Sequence, residues 1–351
     1  MPFIAQRLVN ARQMRGLSLQ DLSDKLGNKV SRQALHKYET GEVVPDNVMV
    51  QDIAGVLDLK PDYFYREQTV NIEEVAFRKL SKLGKKEQKR IIETARDYLE
   101  RYIELEEIIG KPVSVVNPLK DVTITGRDDV EKAARKLRDE WNLGTDPLYN
   151  VLELLEDQGI KVLELNADPA VDGFSTWIDD KIPVIGLNLS LKKHLDRYRF
   201  TALHELGHLF LNISRFNESE QEKMCHYFAG ALLLDKRAIE QELGLKRKRI
   251  SLQELASLKK QYGISIQAIV YRLKELRIIS QASYTGFFKF MNQHGYKNDE
   301  TGLAEYKGEE NALRFDQLLG QAIAEEYITV SKAAALKNQR VSQFRKNFLI
   351  G

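Results

Sequence analysis

Thr201-Ala202-Leu203-His204-Glu205-Leu206-Gly207-His208-Leu209-Phe210-Leu211 decides how the second half of this 351-residue chain is read. Its apolar residues recur at helical spacing around an H-E-x-x-H motif. Residues four apart on a helix stand one above the other, so His204 and His208 aim two imidazoles at one point. Two such nitrogens begin a tetrahedral zinc site. Glu205 is then set to take a proton from water activated by the metal. With six histidines in the chain, composition alone gives this pattern a chance on the order of 0.01. The competing reading is a pair of core histidines, but unpaired polar groups on so apolar a helix would be costly.

A catalytic zinc needs a third protein ligand and one open position. No histidine follows His208 at short spacing; the next four residues are Leu209 to Asn212. The helical stretch Glu218 to Leu234 instead places Glu222 and His226 on one face, at i and i+4. Glu222 is the favoured ligand, with Glu218, Glu220 and His226 as alternatives. His226 is then left to stabilise a tetrahedral oxyanion or to serve as a structural histidine. Cys225 lies on a neighbouring face, where a buried thiol packing behind the site is favoured over ligation. The set suits hydrolysis of an amide, with Glu205 as general base and zinc as the expected ion; manganese or iron(II) are alternatives.

Outward from that helix the pattern is α+β. Ala133 to Leu143 and Pro147 to Gln158 read as helices, while Ile160 to Leu165, Gly173 to Ile178 and Ile182 to Leu187 read as short strands. Asp179-Asp180-Lys181 suits a tight hairpin. Helices return from about His194, and beyond Ala282 the chain is charged, with helices near Ala312 to Glu326 and Ser331 to Lys337. Gly110-Lys111-Pro112 and a polar, β-like stretch through Gly126 read as a linker.

The N-terminal third is different. From Phe3 to about Arg66 apolar positions repeat in four short helical runs broken at Gly16, Gly27-Asn28 and Gly41 to Pro45. Ser18 and Ser31 are placed to cap two helices joined by a tight turn, a helix-turn-helix. In the second helix Ala34, Leu35 and Tyr38 would face inward. Ser31, Arg32, Gln33, His36 and Lys37 remain for double-stranded DNA; Arg and Gln read guanine and adenine edges, and Lys binds phosphate. The competing reading is a solvated face of a protein-interaction domain, and charge does not decide: residues 1–66 hold nine Lys/Arg and eight Asp/Glu.

The fold class expected is therefore mainly α: a four- to five-helix domain over 1–67, a long linker helix and connecting segment over 68–127, a small β-sheet plus helices over 128–281, and an accessory region over 282–351. In the linker, Lys85 to Ile109 has no Gly or Pro and sets Ile91, Ala95, Tyr98, Tyr102, Leu105 and Ile109 on one seam. That seam offers a surface for a homodimer, or packs on the domain that carries the H-E-x-x-H motif. Arg78 to Arg101 carries nine Lys/Arg against four Asp/Glu, a solvated or phosphate-facing run. A dimer would meet a pseudo-palindromic operator with half-sites about one helical turn apart.

Composition sets the limits. With 43% hydrophobic and 30% charged residues the chain is globular, and 53 − 51 gives a net charge of +2, so any nucleic-acid surface is local. The lone Cys225 cannot form an internal disulfide, no stretch approaches the roughly 18 apolar residues of a membrane helix, and the opening residues lack a signal-peptide core. A reducing, cytoplasmic location without membrane partners is expected.

Residues 4 to 66 resemble the Cro/repressor-type helix-turn-helix of the xenobiotic-response-element family, through G-L-S-x-x-x-L-S from Gly16 to Ser23, V-S-R-Q-A-L-x-K-Y-E-x-G from Val30 to Gly41, Pro45, and Ile53 to Leu57. Leu19 stands where many relatives carry a phosphate-contacting Gln. Residues from about 128 to 280 resemble the ImmA/IrrE metallopeptidases, through Arg199 to His208 and Glu222 to Leu234. His226 replaces the usual Asn, and Asp235-Lys236 the usual Pro. The resemblance implies a zincin-like fold, Glu222 as third metal ligand, and cleavage of a helix-turn-helix repressor, itself or a partner, that derepresses stress or mobile-element genes. The alternative is a transcription regulator whose zincin-like domain is a non-catalytic sensor or scaffold.

Overall fold

The computed structural model describes residues 2–72, 83–297, 299–300 and 302–349. In chain order, α1 (Pro2–Met14), α2 (Leu19–Lys25), α3 (Arg32–Thr40) and α4 (Asn47–Val56) precede a 3₁₀ turn at Pro61–Tyr65 and α5 (Lys85–Ile109). Then come α6 (Arg127–Glu140), α7 (Val151–Asp157), β1 (Lys161–Leu165), β2 (Gly173–Ile178) and β3 (Ile182–Asn188). The long α8 (Leu195–Phe210) and α9 (Glu218–Leu233) lead to α10 (Lys236–Leu243), α11 (Leu252–Tyr262), α12 (Ile266–Glu275) and α13 (Gln281–Gln293). Finally α14 (Arg314–Ala324), α15 (Val330–Leu336) and α16 (Val341–Phe344) follow. The polar stretch after Pro112 forms no strand among the described residues. Its apolar side chains go to the core instead: Leu119 and Ile124 are buried in it, and Val115 and Val122 pack against it.

The chain divides into two compact units, Met1–Val113 with Ile178–Asp180 and Arg314–Gly351, and Ser114–Trp177 with Lys181–Leu313. In the first, Ile4, Leu8 and Ala11 of α1 share a core with Leu22, Leu35, Ile53 and Phe64. Side-chain caps fix the short helices. Ser18 and Asp21 form a capping box, Ser31 Oγ accepts from Ala34 N at 3.2 Å, and Gly41 ends α3 in the left-handed region at φ 77°. Arg7 of α1 is buried and donates to Glu100 of α5 at 2.7 Å and to the Glu67 carbonyl at 2.6 Å, tying the helical domain to the long helix.

The seam of α5 is filled from within the same unit. Tyr102, Leu105 and Ile109 pack with Phe315, Leu318 and Leu319 of α14 and with Ala333, Ala334 and Leu336 of α15. This part of the seam, open in the sequence to a homodimer or to packing on the H-E-x-x-H domain, is covered by the chain's own C-terminal helices, whose isolated apolar stripes gave no hint of their partner. Three arginines of the basic run are spent on the helix itself: Arg90 pairs with Glu87, Arg96 with Glu93 and Arg101 with Asp97. Of that run, residues 78–82 lie outside the described residues.

The second unit holds a three-stranded sheet of order β1-β3-β2, with β1 parallel to β3 and Lys161 opposite Val184. Two adjacent parallel strands need a crossover, and here the β2 hairpin arm occupies that connection. Tyr198, Ala202, Leu203 and Leu206 place α8 in one core with Ile185 and Leu187 of β3 and with Phe228 and Leu232 of α9. No described helix is long and apolar enough to cross a membrane.

Candidate functional site

Two helices build the candidate metal site. Their close approach is set by Gly207, where a Cβ would stand 3.2 Å from the Cα, Cβ and Sγ of Cys225. Even an alanine there would require Cys225 to give by a few tenths of an ångström. Cys225 is buried and free of disulfides, packing behind the site as its position implied. The contact delivers Glu222, one turn before Cys225, to the two histidines of α8.

Four candidate ligand atoms of three residues converge there. His204 Nε2 and His208 Nε2 are 3.2 Å apart. Glu222 Oε2 lies 3.1 Å from His204 Nε2, and its Oε1 3.2 Å from His208 Nε2. Donors about 2.0–2.2 Å from a tetrahedral zinc stand roughly 3.3–3.5 Å from one another. The triangle fits such an ion within a few tenths of an ångström, and two imidazoles with one carboxylate are a donor set suited to zinc. His226 also brings a ligand atom within 4.8 Å of those of His204 and Glu222. The other two acids considered are elsewhere occupied or exposed: Glu220 accepts from Asn217 N at 3.2 Å in the α9 capping box, and Glu218 is in solvent.

Glu205 is buried, and Ser175 Oγ of β2 donates to its Oε2 at 2.7 Å. A fixed hydrogen bond on one oxygen orients the other. Ser175 lies 30 residues before Glu205 in a strand whose alternation predicted only burial, so nothing local in sequence marked it. His204 is held differently. Its Nδ1 is buried without a hydrogen-bond partner, where metal-binding histidines usually donate to a carbonyl or carboxylate. The ring instead sits in an aromatic stack: His226 lies 4.3 Å from it between ring centroids, and Phe200 lies 5.8 Å from His226 at an interplanar angle of 27°. Phe200 went unmarked in the sequence because an aromatic residue on an apolar helix reads as core.

The segment after α13 adds two buried acids. Glu310 Oε1 lies 3.1 Å from Arg199 Nε of α8, and its Oε2 accepts from Val151 N at the start of α7 at 2.8 Å. Burial pushes the Glu310 carboxyl up to about 7, against the pull of Arg199 and those amides. Glu300 accepts from Ile266 N at 2.7 Å and from Gln267 N at 2.9 Å, capping α12 beside Lys259.

In the other unit the helix-turn-helix leaves its expected DNA residues together on one face. Ser31, Arg32, Gln33, His36 and Lys37 are all exposed, while Leu35 is buried and Ala34 and Tyr38 pack partly against the core. Arg12 of α1 grips Glu39 through two hydrogen bonds of 2.6 and 2.7 Å, fixing the end of α3.

Comparison with known families agrees with both halves. Residues 8–64 match the helix-turn-helix family and residues 155–274 the IrrE N-terminal-like domain family. The chain thus joins a helix-turn-helix DNA-binding domain of the xenobiotic-response-element type to an IrrE-like domain of the metallopeptidase type. A search of curated proteins found no match.

Proposed function

We propose that this chain, a helix-turn-helix regulator with an IrrE-like peptidase domain, is a zinc-dependent endopeptidase that cleaves a repressor-type protein, itself or a partner, and so relieves repression at its operator. The observation that carries the reading is the convergence of His204, His208 and Glu222 beside a buried Glu205. The three ligands would hold the ion, with manganese or iron(II) as alternatives. When bound, such a cation supplies the Lewis acidity that activates water near neutral pH and polarises a peptide carbonyl.

The protein's own groups do the rest. Glu205, oriented by Ser175, takes a proton from the attacking water and returns it to the leaving amine. His226 donates a hydrogen bond to the carbonyl oxygen as it gains charge. On the DNA side, Arg32 and Gln33 read base edges, and Lys37, His36 and Ser31 hold the backbone of a double-stranded operator. Stress or mobile-element genes are the regulated set that this pairing of domains favours.

The deciding experiment incubates purified wild type and Glu205→Gln with zinc, with and without DNA and helix-turn-helix repressors, and reads fragments by mass spectrometry and metal content by elemental analysis. Chelator-sensitive fragments from wild type alone, with equal zinc in both proteins, support the reading. Equal cleavage by Glu205→Gln overturns the assigned base. Intact proteins throughout would leave the sensor reading.

A further inference from the structure

Beside the metal-binding triangle lies a cavity of about 270 Å³ with no role in the chemistry described so far. Its walls are Phe200, His226, Tyr227, Gly230, Ala268 and Tyr271, drawn from α8, α9 and α12. His226 forms part of the wall and also stacks on His204, so the cavity opens next to the ligands. The guanidinium at its wall is already satisfied. Arg272 donates to both Glu131 oxygens at 2.8 and 2.9 Å and to the Leu234 carbonyl at 2.6 Å, which leaves its aliphatic stem to line the space. Lys223 is exposed at the mouth.

We infer that this cavity is a specificity pocket that receives one large apolar side chain, of the leucine, methionine or phenylalanine class, from a residue flanking the bond to be cut. The inference rests on the peptidase reading and names its substrate class. A charged side chain entering would lose its hydration and find no unpaired countercharge at the base. A leucine or phenylalanine would instead leave water, an effect of roughly 10- to 150-fold in selectivity. Continuity settles the occupant: the ring of His226 is shared by the pocket wall and the stack on His204, so a side chain seated there belongs to the peptide crossing the triangle.

The test fills the pocket. Ala268→Trp adds an indole from α12, and Gly230→Ala is a gentler filling, since its Cβ would meet only the Arg272 Cδ, at an ordinary 3.8 Å. Zinc-loaded full chain and both variants, checked for folding by circular dichroism, are given a proteome-derived peptide library, and the new termini are read by mass spectrometry. In parallel, saturation-transfer NMR follows N-acetylphenylalanine amide and N-acetylaspartate amide on metal-free protein. The expected result is enrichment of large apolar residues at one position beside the cut, a selectivity at least tenfold lower in Ala268→Trp, a smaller drop in Gly230→Ala, and phenylalanine-amide binding lost in Ala268→Trp. Cleavage without apolar enrichment, or enrichment unmoved in both variants, overturns the pocket and leaves the peptidase intact. No cleavage by wild type breaks the peptidase reading. The NMR arm then judges the cavity: selective binding of the phenylalanine amide sustains it as an apolar side-chain site, and equal or absent binding overturns it.

Discussion

On α3, Arg32, Gln33, His36 and Lys37 stand in solvent around a buried Leu35; on α8, His204 and Glu205 are themselves buried, among Leu203, Leu206 and the sheet. The first surface can change its exposed side chains without touching its core, because the residues proposed for recognition and those that fold the domain use opposite faces of one helix. The second cannot. Its functional groups occupy core positions, so each must find a hydrogen bond or a ligand or be destabilising. Chemistry that acts on water needs the low-dielectric enclosure, whereas reading a DNA groove needs projection.

The sharpest way to break this contrast is a pair of variants read in both assays. Glu205→Gln is expected to lower turnover about 10²- to 10⁴-fold with operator affinity unchanged. Arg32→Ala with Gln33→Ala should do the reverse, weakening specific DNA binding by about 1–3 kcal/mol per base contact while thermal stability and cleavage of a free substrate stay put. Operator binding measured by fluorescence anisotropy across salt, alongside fragment formation, checks both. Loss of both activities in either variant would mean that the two surfaces are not independent.

Metal removal should separate the units next. A ligand bound only by the folded state stabilises by about 4 kcal/mol at a thousandfold excess over its Kd. Chelation is therefore expected to lower the calorimetric transition of the unit that holds His204, His208 and Glu222 and to leave that of the helix-turn-helix unmoved. His208→Ala should show the low transition with or without zinc. A zinc-insensitive wild type would remove the triangle from the list of ion sites.

Titration gives a smaller difference of the same kind. Glu310 keeps its proton in the folded state up to about 7, whereas an unfolded glutamate releases it near 4.5. Between those values the native state binds more protons than the unfolded one, so this group's contribution falls as pH rises from about 4.5 to 7 and is level above. The span corresponds to roughly 3 kcal/mol at most. Denaturant midpoints of wild type should accordingly decline more steeply from pH 5 to 7 than those of Glu310→Gln. Parallel curves would show that Arg199 keeps the carboxylate charged throughout.

How much of this the sequence carried follows the same divide. The helix-turn-helix was legible almost to the residue, because caps, glycine breaks and apolar spacing are local; Ser18, Ser31 and Gly41 end their helices where their types demand. The candidate ligands on α8 were legible through a single spacing rule. Ser175, Phe200 and Glu310 were not, since each acts across 26 or more residues of chain, through contacts that no periodicity records. The covering of Tyr102 and Leu105 by Phe315 and Leu318 belongs with them: an amphipathic seam states that it will be buried and not by what.

Ser31 is where the two kinds of information meet, and it yields the smallest effect. Its hydroxyl accepts from Ala34 N, and its side chain also stands on the face assigned to DNA. Ser31→Ala should cost about 1 kcal/mol of stability through the lost cap and also weaken DNA binding, so by itself it cannot tell the roles apart. Ser31→Asp can. Aspartate caps as well as serine and sits favourably at the helix N-terminus, so thermal stability should hold or rise slightly. The added negative charge would face the phosphates and weaken operator affinity, most at low salt, where screening is least. Stability kept with affinity lost would assign Ser31 to both folding and recognition. Affinity kept would turn the N-terminus of α3 away from the DNA and move the recognition surface toward Lys37 and His36.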